Sequence, residues 1–175
     1  QIPIIYVTHD ADEVLRLASD VVLLANGVVA ASGLLGAVTS RLDLPGEAET
    51  LGLGAILDGR VESQDGARGL SVVATPVGAF RLPLLARNVG ARVAIRVAAR
   101  DVSIALERPT AISIQNMFDA VVDEVRPAAP HVVRMALRAG EGRLLAELTA
   151  DAVARLKLVP GAKVVALVKS VALAR

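Results

Sequence analysis

The chain has 175 residues, 54% of them hydrophobic and only 2% aromatic, so its core must be built from Val, Leu, Ile and Ala. A net charge of +1 hides an asymmetry: residues 1–54 carry two basic and seven acidic side chains, and 55–175 carry seventeen and eleven. With no Cys and only two His, disulfides, thiolate metal sites and a multi-histidine zinc centre are excluded, and no metal site is expected.

Residues 2–8 are a continuous apolar and β-branched run and predict a buried parallel strand. Asp10, three residues before Glu13, makes a capping-box pattern and predicts a helix through about residue 18. "VVLLANGVVAASG" predicts two short strands around Asn26-Gly27, the favoured pair for a tight hairpin. A short helix follows over 34–42, and "LPGEAETLGLG" has the composition of a linker.

Beyond residue 55 short β-branched strands alternate with turns. The pattern predicts strands at 56–64, 70–75, 78–82, 91–97 and 102–107, then at 117–126, 131–138 and 143–148. A helix over 151–158 and strands at 162–168 and 170–174 complete the chain. "VGARVAIRVAARDVSIAL" (89–106) parallels "VPGAKVVALVKSVALA" (159–174): in both, a Gly turn precedes a strand, a polar break and a second strand. Strands at this spacing suggest small barrels. With the family resemblances given below, the reading is mixed: a truncated α/β segment (1–50), then an all-β, OB-like barrel region of two subdomains (51–109 and 110–175).

No uncharged apolar run of about 18 residues is present, so no transmembrane helix is expected. No signal peptide is read either, and the start inside an apolar run reads as a fragment boundary. The basic C-terminal part suits an anionic ligand or a solvated β surface. Nucleic acid is not expected as a partner, because stacking aromatics are nearly absent.

Two places carry candidate chemistry. His9 sits in the Thr8-His9-Asp10 turn between strand and helix, the edge where open α/β sheets bind ligands. Its imidazole can donate to a phosphate oxygen or orient a water, or it is simply exposed. No G-x-x-x-x-G-K-[ST] occurs anywhere, so no phosphate-cradling loop accompanies it. The second place is Ser113, Gln115 and Asn116 before one strand, with Lys169 and Ser170 breaking another. These residues offer hydroxyls, amides and an ammonium, the convergent donors a dehydrated oxyanion needs. On spacing alone they also fit ordinary strand-end polar residues.

"PIIYVTHDADEVLRLASDVVLLANGVVAASG" resembles the end of an ABC-transporter ATPase domain. The resemblance makes His9 the switch histidine that contacts the γ-phosphate. The family's phosphate loop, "LSGGQ" signature and catalytic Glu are absent here. It therefore implies a parent ATPase that uses ATP and Mg, and a chain that is inactive by itself. The stretch 110–174 resembles the molybdate-binding Mop domain of the TOBE group, through "SIQN", "VKSV" and "LTADAVARLKLVPG". That resemblance makes Ser113, Gln115, Asn116, Thr149, Lys169 and Ser170 oxyanion ligands, with barrels pairing and the anion between them. "IRVAARDVSIAL" is similar to the TOBE region of other importer ATPases, with Arg100-Asp101 in the family's turn.

Gln115 stands where the family has Arg. It donates without charge or fork, and losing a charge-assisted bond costs about 1–3 kcal/mol. Molybdate or tungstate binding is thus kept, weakened or replaced by a structural role. Together the resemblances imply the ATP-binding subunit of a molybdate importer, peripheral on the cytoplasmic face of the membrane. It would be a homodimer through the β region and partner a membrane permease. The alternatives are an importer ATPase for sulfate, sugar, polyamine or iron with a structural TOBE domain, and a stand-alone molybdate-binding module.

Overall fold

The computed structural model describes residues 2–10, 13–14, 17–43, 53–169 and 171–174. No strand forms over residues 2–8, which correct the expectation: Ile4 is 84% and Ile5 95% exposed. The apolar run has strand composition, but no described strand lies beside it, and a lone strand has no ladder to hold it. The helical start after it is present. Glu13 and Val14 are helical, Glu13 N–H donates to Asp10 Oδ1 at 3.2 Å, and Val14 N–H donates to Asp10 O at 3.2 Å.

Asn26 (φ 50°) and Gly27 (φ 77°) both take positive φ, as a two-residue primed turn requires. They join β1 (Asp20–Ala25) to β2 (Val28–Leu34). Helix α1 (Leu35–Thr39) folds back on this hairpin, so that Val38 and Ala31 pack with Val21 and Leu23. The hairpin's other face leaves Val22, Leu24, Val28 and Val29 exposed.

The β region follows the expected strand order closely: β3 (Gly54–Asp65), β4 (Leu70–Thr75), β5 (Gly78–Pro83), β6 (Arg92–Ala98) and β7 (Val102–Ala105). Then come β8 (Asn116–Ala129), β9 (Val132–Ala139), β10 (Gly142–Thr149), helix α2 (Ala150–Arg155), β11 (Lys163–Val168) and β12 (Ala172–Ala174). They make two five-stranded sheets, ordered β12-β6-β3-β4-β5 and β10-β9-β8-β11-β7. All the pairings are antiparallel.

The two sheets exchange strands. β7 leaves the first set and pairs with β11, while β12 leaves the second and pairs with β6. The repeat in the sequence is a repeat in the structure. Val61 N–H donates to Ala91 O and accepts Gly90 N–H at its carbonyl; Val122 does the same with Ala162 and Gly161. Gly90 and Gly161 turn at φ 87° and 89°. A β-bulge follows each valine, between Val61 and Ser63 and between Val122 and Glu124. Such bulges bend and twist the strand, which curls each sheet toward a barrel.

One apolar core runs through both sheets, from Leu57, Val73 and Ile95 to Val122, Leu137, Leu144 and Val168. The chain's two phenylalanines stack across the junction: Phe80 on β5 and Phe118 on β8 have ring centroids 4.6 Å apart. A second contact seats the β9–β10 turn on the β4–β5 turn, where Glu141 N–H donates to Pro76 O at 2.9 Å. Gly140, at φ 55°, is required there, since a Cβ would come within 2.6 Å of Pro76 O. A smaller cluster of Leu42, Ala99, Ala136 and Leu145 ties the end of the N-terminal part to the β region.

Candidate functional site

At the N-terminal turn the residues around His9 satisfy one another. Thr8 Oγ1 donates to Glu13 Oε2 at 2.6 Å and accepts Asp10 N–H at 3.0 Å. Tyr6 OH also donates to Glu13 Oε2 at 3.1 Å, and this bond to a carboxylate holds the phenol above its ordinary pKa. The turn therefore has a built-in shape, with Glu13 gathering two hydroxyl donors. His9 lies exposed on it, and no side-chain hydrogen bond engages it among the described residues. A single exposed imidazole can make one contact to a phosphate. It cannot hold a nucleotide by itself.

The second candidate lies where the exchanged strands cross. β6 passes to β7 through a short 3-10 turn, Ala99–Asp101, and β11 passes toward β12 through Lys169. The two connections touch: Lys169 N–H donates to Asp101 O at 3.4 Å. Val168, the last residue of β11, pairs with Asn116 on one side and Val102 on the other. Carrying the β8–β11 ladder one residue further sets Gln115 against Lys169. Ser113 precedes Gln115 on the loop entering β8, and Ser113, Gln115 and Lys169 are all exposed. The strand exchange thus gathers residues more than fifty positions apart at one sheet end.

Asn116 faces the other way. Its Oδ1 accepts Arg81 N–H at 2.7 Å and its Nδ2 donates to Arg81 O at 3.0 Å. The buried amide therefore acts as one rung of ladder for the outer edge of β5 and clamps the two sheets together. Thr149 lies elsewhere. It aligns with Val132, which aligns with Ala129 at the far end of β8 from Asn116. Its Oγ1 accepts Ala152 N–H at 3.2 Å and caps α2. Ser170 lies outside the described residues.

The charge at the crossing is mixed. Lys169 and the exposed Arg100 bring cations to the two connections, and Asp101 brings one half-buried carboxylate. Arg100 is the residue that sequence reasoning placed only loosely. The signal was its position in the polar break between two repeated strands, the same break that holds Lys169.

Residues 112–174 match the TOBE domain family. Over its full length the chain is 42% identical to the molybdenum import ATP-binding protein ModC of Mesorhizobium japonicum, across 176 aligned residues. It is 41% identical to the protein of the same name from Rhodospirillum rubrum. The chain is a homologue of these ATP-binding subunits, and its 112–174 stretch is a TOBE domain. It spans about half the length of the curated relatives it matches: 47% of the first and 48% of the second. A solved structure with the same β architecture is the molybdate-bound form of the cytoplasmic molybdate-binding protein ModG, at TM-score 0.57 and 22% identity. The match covers 68% of this chain and 94% of that one, and it shows the TOBE/OB-like fold.

Proposed function

We propose that this chain is the C-terminal portion of the ATP-binding subunit of a molybdate importer, and that its β region binds the intracellular oxyanion. The observation that carries the reading is full-length similarity to molybdenum import ATP-binding proteins, on both sides of the linker. The crossing of the exchanged strands supports the sensing role. In its favour, the backbone register carries Lys169 and Gln115 to one exposed sheet end, with Ser113 two residues before Gln115 and Arg100 in the 3-10 turn whose Asp101 carbonyl accepts Lys169 N–H. Such donors suit a dianion, which gains most from charge-assisted bonds.

The parent would use ATP with Mg and a permease partner, on the cytoplasmic face of the membrane. His9 would be its γ-phosphate contact, and this chain alone would not turn over ATP. Thr149 is far along the ladder from Lys169, so a site that uses both would take Thr149 from a second copy. This supports a homodimer through the β region, with the oxyanion between copies. A filled site would then bias the spacing of the ATPase halves by its differential affinity for two arrangements.

Calorimetry with molybdate, tungstate and sulfate on the whole chain tests the reading. Molybdate heat that falls at least ten-fold in affinity with Lys169→Ala is expected. Binding indifferent to Lys169→Ala and Arg100→Ala, or no binding of any of the three, leaves the TOBE domain a structural role.

A further inference from the structure

Away from the crossing, the outer face of β3 and β6 carries a separate pair of cations. Arg60 and Arg92 stand directly opposite each other on this ladder, both exposed on the same face. Like charges in that position repel, because directly opposed Cβ atoms sit only about 4.5–5.5 Å apart. Among the described residues neither arginine is in an ion pair; Arg60 Nη1 donates to the Gly90 carbonyl, and its remaining N–H groups stay available. On the other side Arg60 faces Ala74, whose small side chain leaves the space above the pair open. The result is a groove of about 570 Å³ lined by Arg60, Arg92, Asp58 and Thr75.

The repeat provides an internal control. A groove of about 420 Å³ occupies the equivalent place on β8 and β11, with Asp119 for Asp58 and Lys163 for Arg92. There Val121 replaces Arg60. Asp119 and Arg138 there are engaged, Arg108 pairing with Asp119 at 2.8 Å and Arg138 with Asp123 at 3.3 Å, which leaves Lys163 as a single cation rather than an opposed pair. The uncompensated pair is therefore particular to the first sheet, and generic β-surface charge does not account for it.

Asp58 narrows the ligand. It sits on the same face one rung along, opposite Ala94. A carboxylate beside two guanidinium groups repels a fully deprotonated anion but accepts a hydrogen bond from an anion that keeps a proton. Near pH 7 inorganic phosphate always carries at least one proton, while sulfate and molybdate carry none. A phosphate monoester, with its second pKa near ~6, is mostly deprotonated. We propose that the β3–β6 groove binds inorganic phosphate, with Arg60 and Arg92 bridging two of its oxygens and Asp58 accepting its O–H.

The test is calorimetry of the whole chain at low ionic strength and pH 7 with inorganic phosphate, sulfate, molybdate and glycerol 3-phosphate. Phosphate is expected to bind more tightly than sulfate or the monoester. Arg92→Gln and Arg60→Gln should each weaken it at least ten-fold with an unchanged thermal midpoint. Asp58→Asn should raise sulfate binding to the level of phosphate, and Lys169→Ala should leave the phosphate isotherm unaltered. The proposal is overturned if phosphate gives no heat, if Arg92→Gln leaves its affinity unchanged, or if sulfate already equals phosphate in the unsubstituted chain. Molybdate binding lost with Lys169→Ala but kept in Arg92→Gln would separate the two sites whichever proposal fails.

Discussion

Replacing Asn116 by Ala tests whether this residue holds the sheets together or serves a ligand. The side chain is 7% exposed and makes two hydrogen bonds to the backbone of Arg81, at 2.7 and 3.0 Å. Each contributes about 1 kcal/mol net, and the β5 backbone groups left behind are part-buried, so a loss of about 2–3 kcal/mol is expected. For a domain of this size that lowers the thermal midpoint by roughly 4–12 °C. Urea unfolding of the substituted chain reads the free energy, and calorimetry with molybdate reads the site. Asn116→Asp sharpens the test. Its carboxylate still accepts Arg81 N–H but now faces the Arg81 carbonyl, so it should destabilise at least as much as Ala at neutral pH. A stability change under about 0.5 kcal/mol for either variant would refute the clamp, because the bonds it removes would then be worth less than an ordinary net hydrogen bond.

Phe118→Ala removes one half of the Phe80–Phe118 ring pair and opens a cavity between the sheets; a loss of about 3–5 kcal/mol by denaturant unfolding is expected. Gly140→Ala forces a Cβ to 2.6 Å from Pro76 O at φ 55°, so it should destabilise by at least about 1 kcal/mol, whereas the same change at Gly66, where nothing lies within 4 Å, should not. Asp43 is held down to about 2, first by its hydrogen bond from Arg41. Its folded pKa is depressed, so its contribution is present above the unfolded value near 3.8 and fades as pH falls toward 2. The pair is solvent-screened, at 42% and 46% exposure, so Asp43→Asn should change stability by less than about 1 kcal/mol at pH 6, and by progressively less as pH falls through about 2.

The strands of the β region were legible because alternation, Gly turns and β-branched residues all pointed the same way from residue 54 onward. The Asn26-Gly27 hairpin was legible for the same reason. Residues 2–8 misled because strand composition reports a tendency, while a strand exists only where another supplies its ladder. The repeat could be read, but its consequence could not. β7 and β12 look like the last strand of their own repeat, and nothing local says that each pairs with the other's sheet. Asn116 was chosen as a donor to a ligand, yet one donor and one acceptor of its amide serve Arg81, a partner thirty-five residues earlier. Thr149 entered only as an oxyanion ligand implied by the resemblance; its place just before the Ala-Asp-Ala-Val run is also a helix-start pattern, and in the structure its hydroxyl caps α2.

The strand exchange makes the two halves of the β region depend on each other. A piece cut at residue 110 would lose β7, leaving one edge of β11 unpaired, and would leave β12 without β6. It would also lose Arg100 and Asp101, so that the carbonyl accepting Lys169 N–H would be gone. The first set of strands, cut the same way, would have β7 without a sheet and β6 with an open edge, and exposed edges invite pairing between copies. Each half is therefore completed by the other, and the residues proposed to meet the anion sit on the very connections that cross. If the proposed ligand draws Lys169 toward Gln115, it pulls on the link to β12, and β12 pairs with β6 of the first sheet, so the three-residue strand Ala172–Ala174 would carry that pull from one sheet to the other.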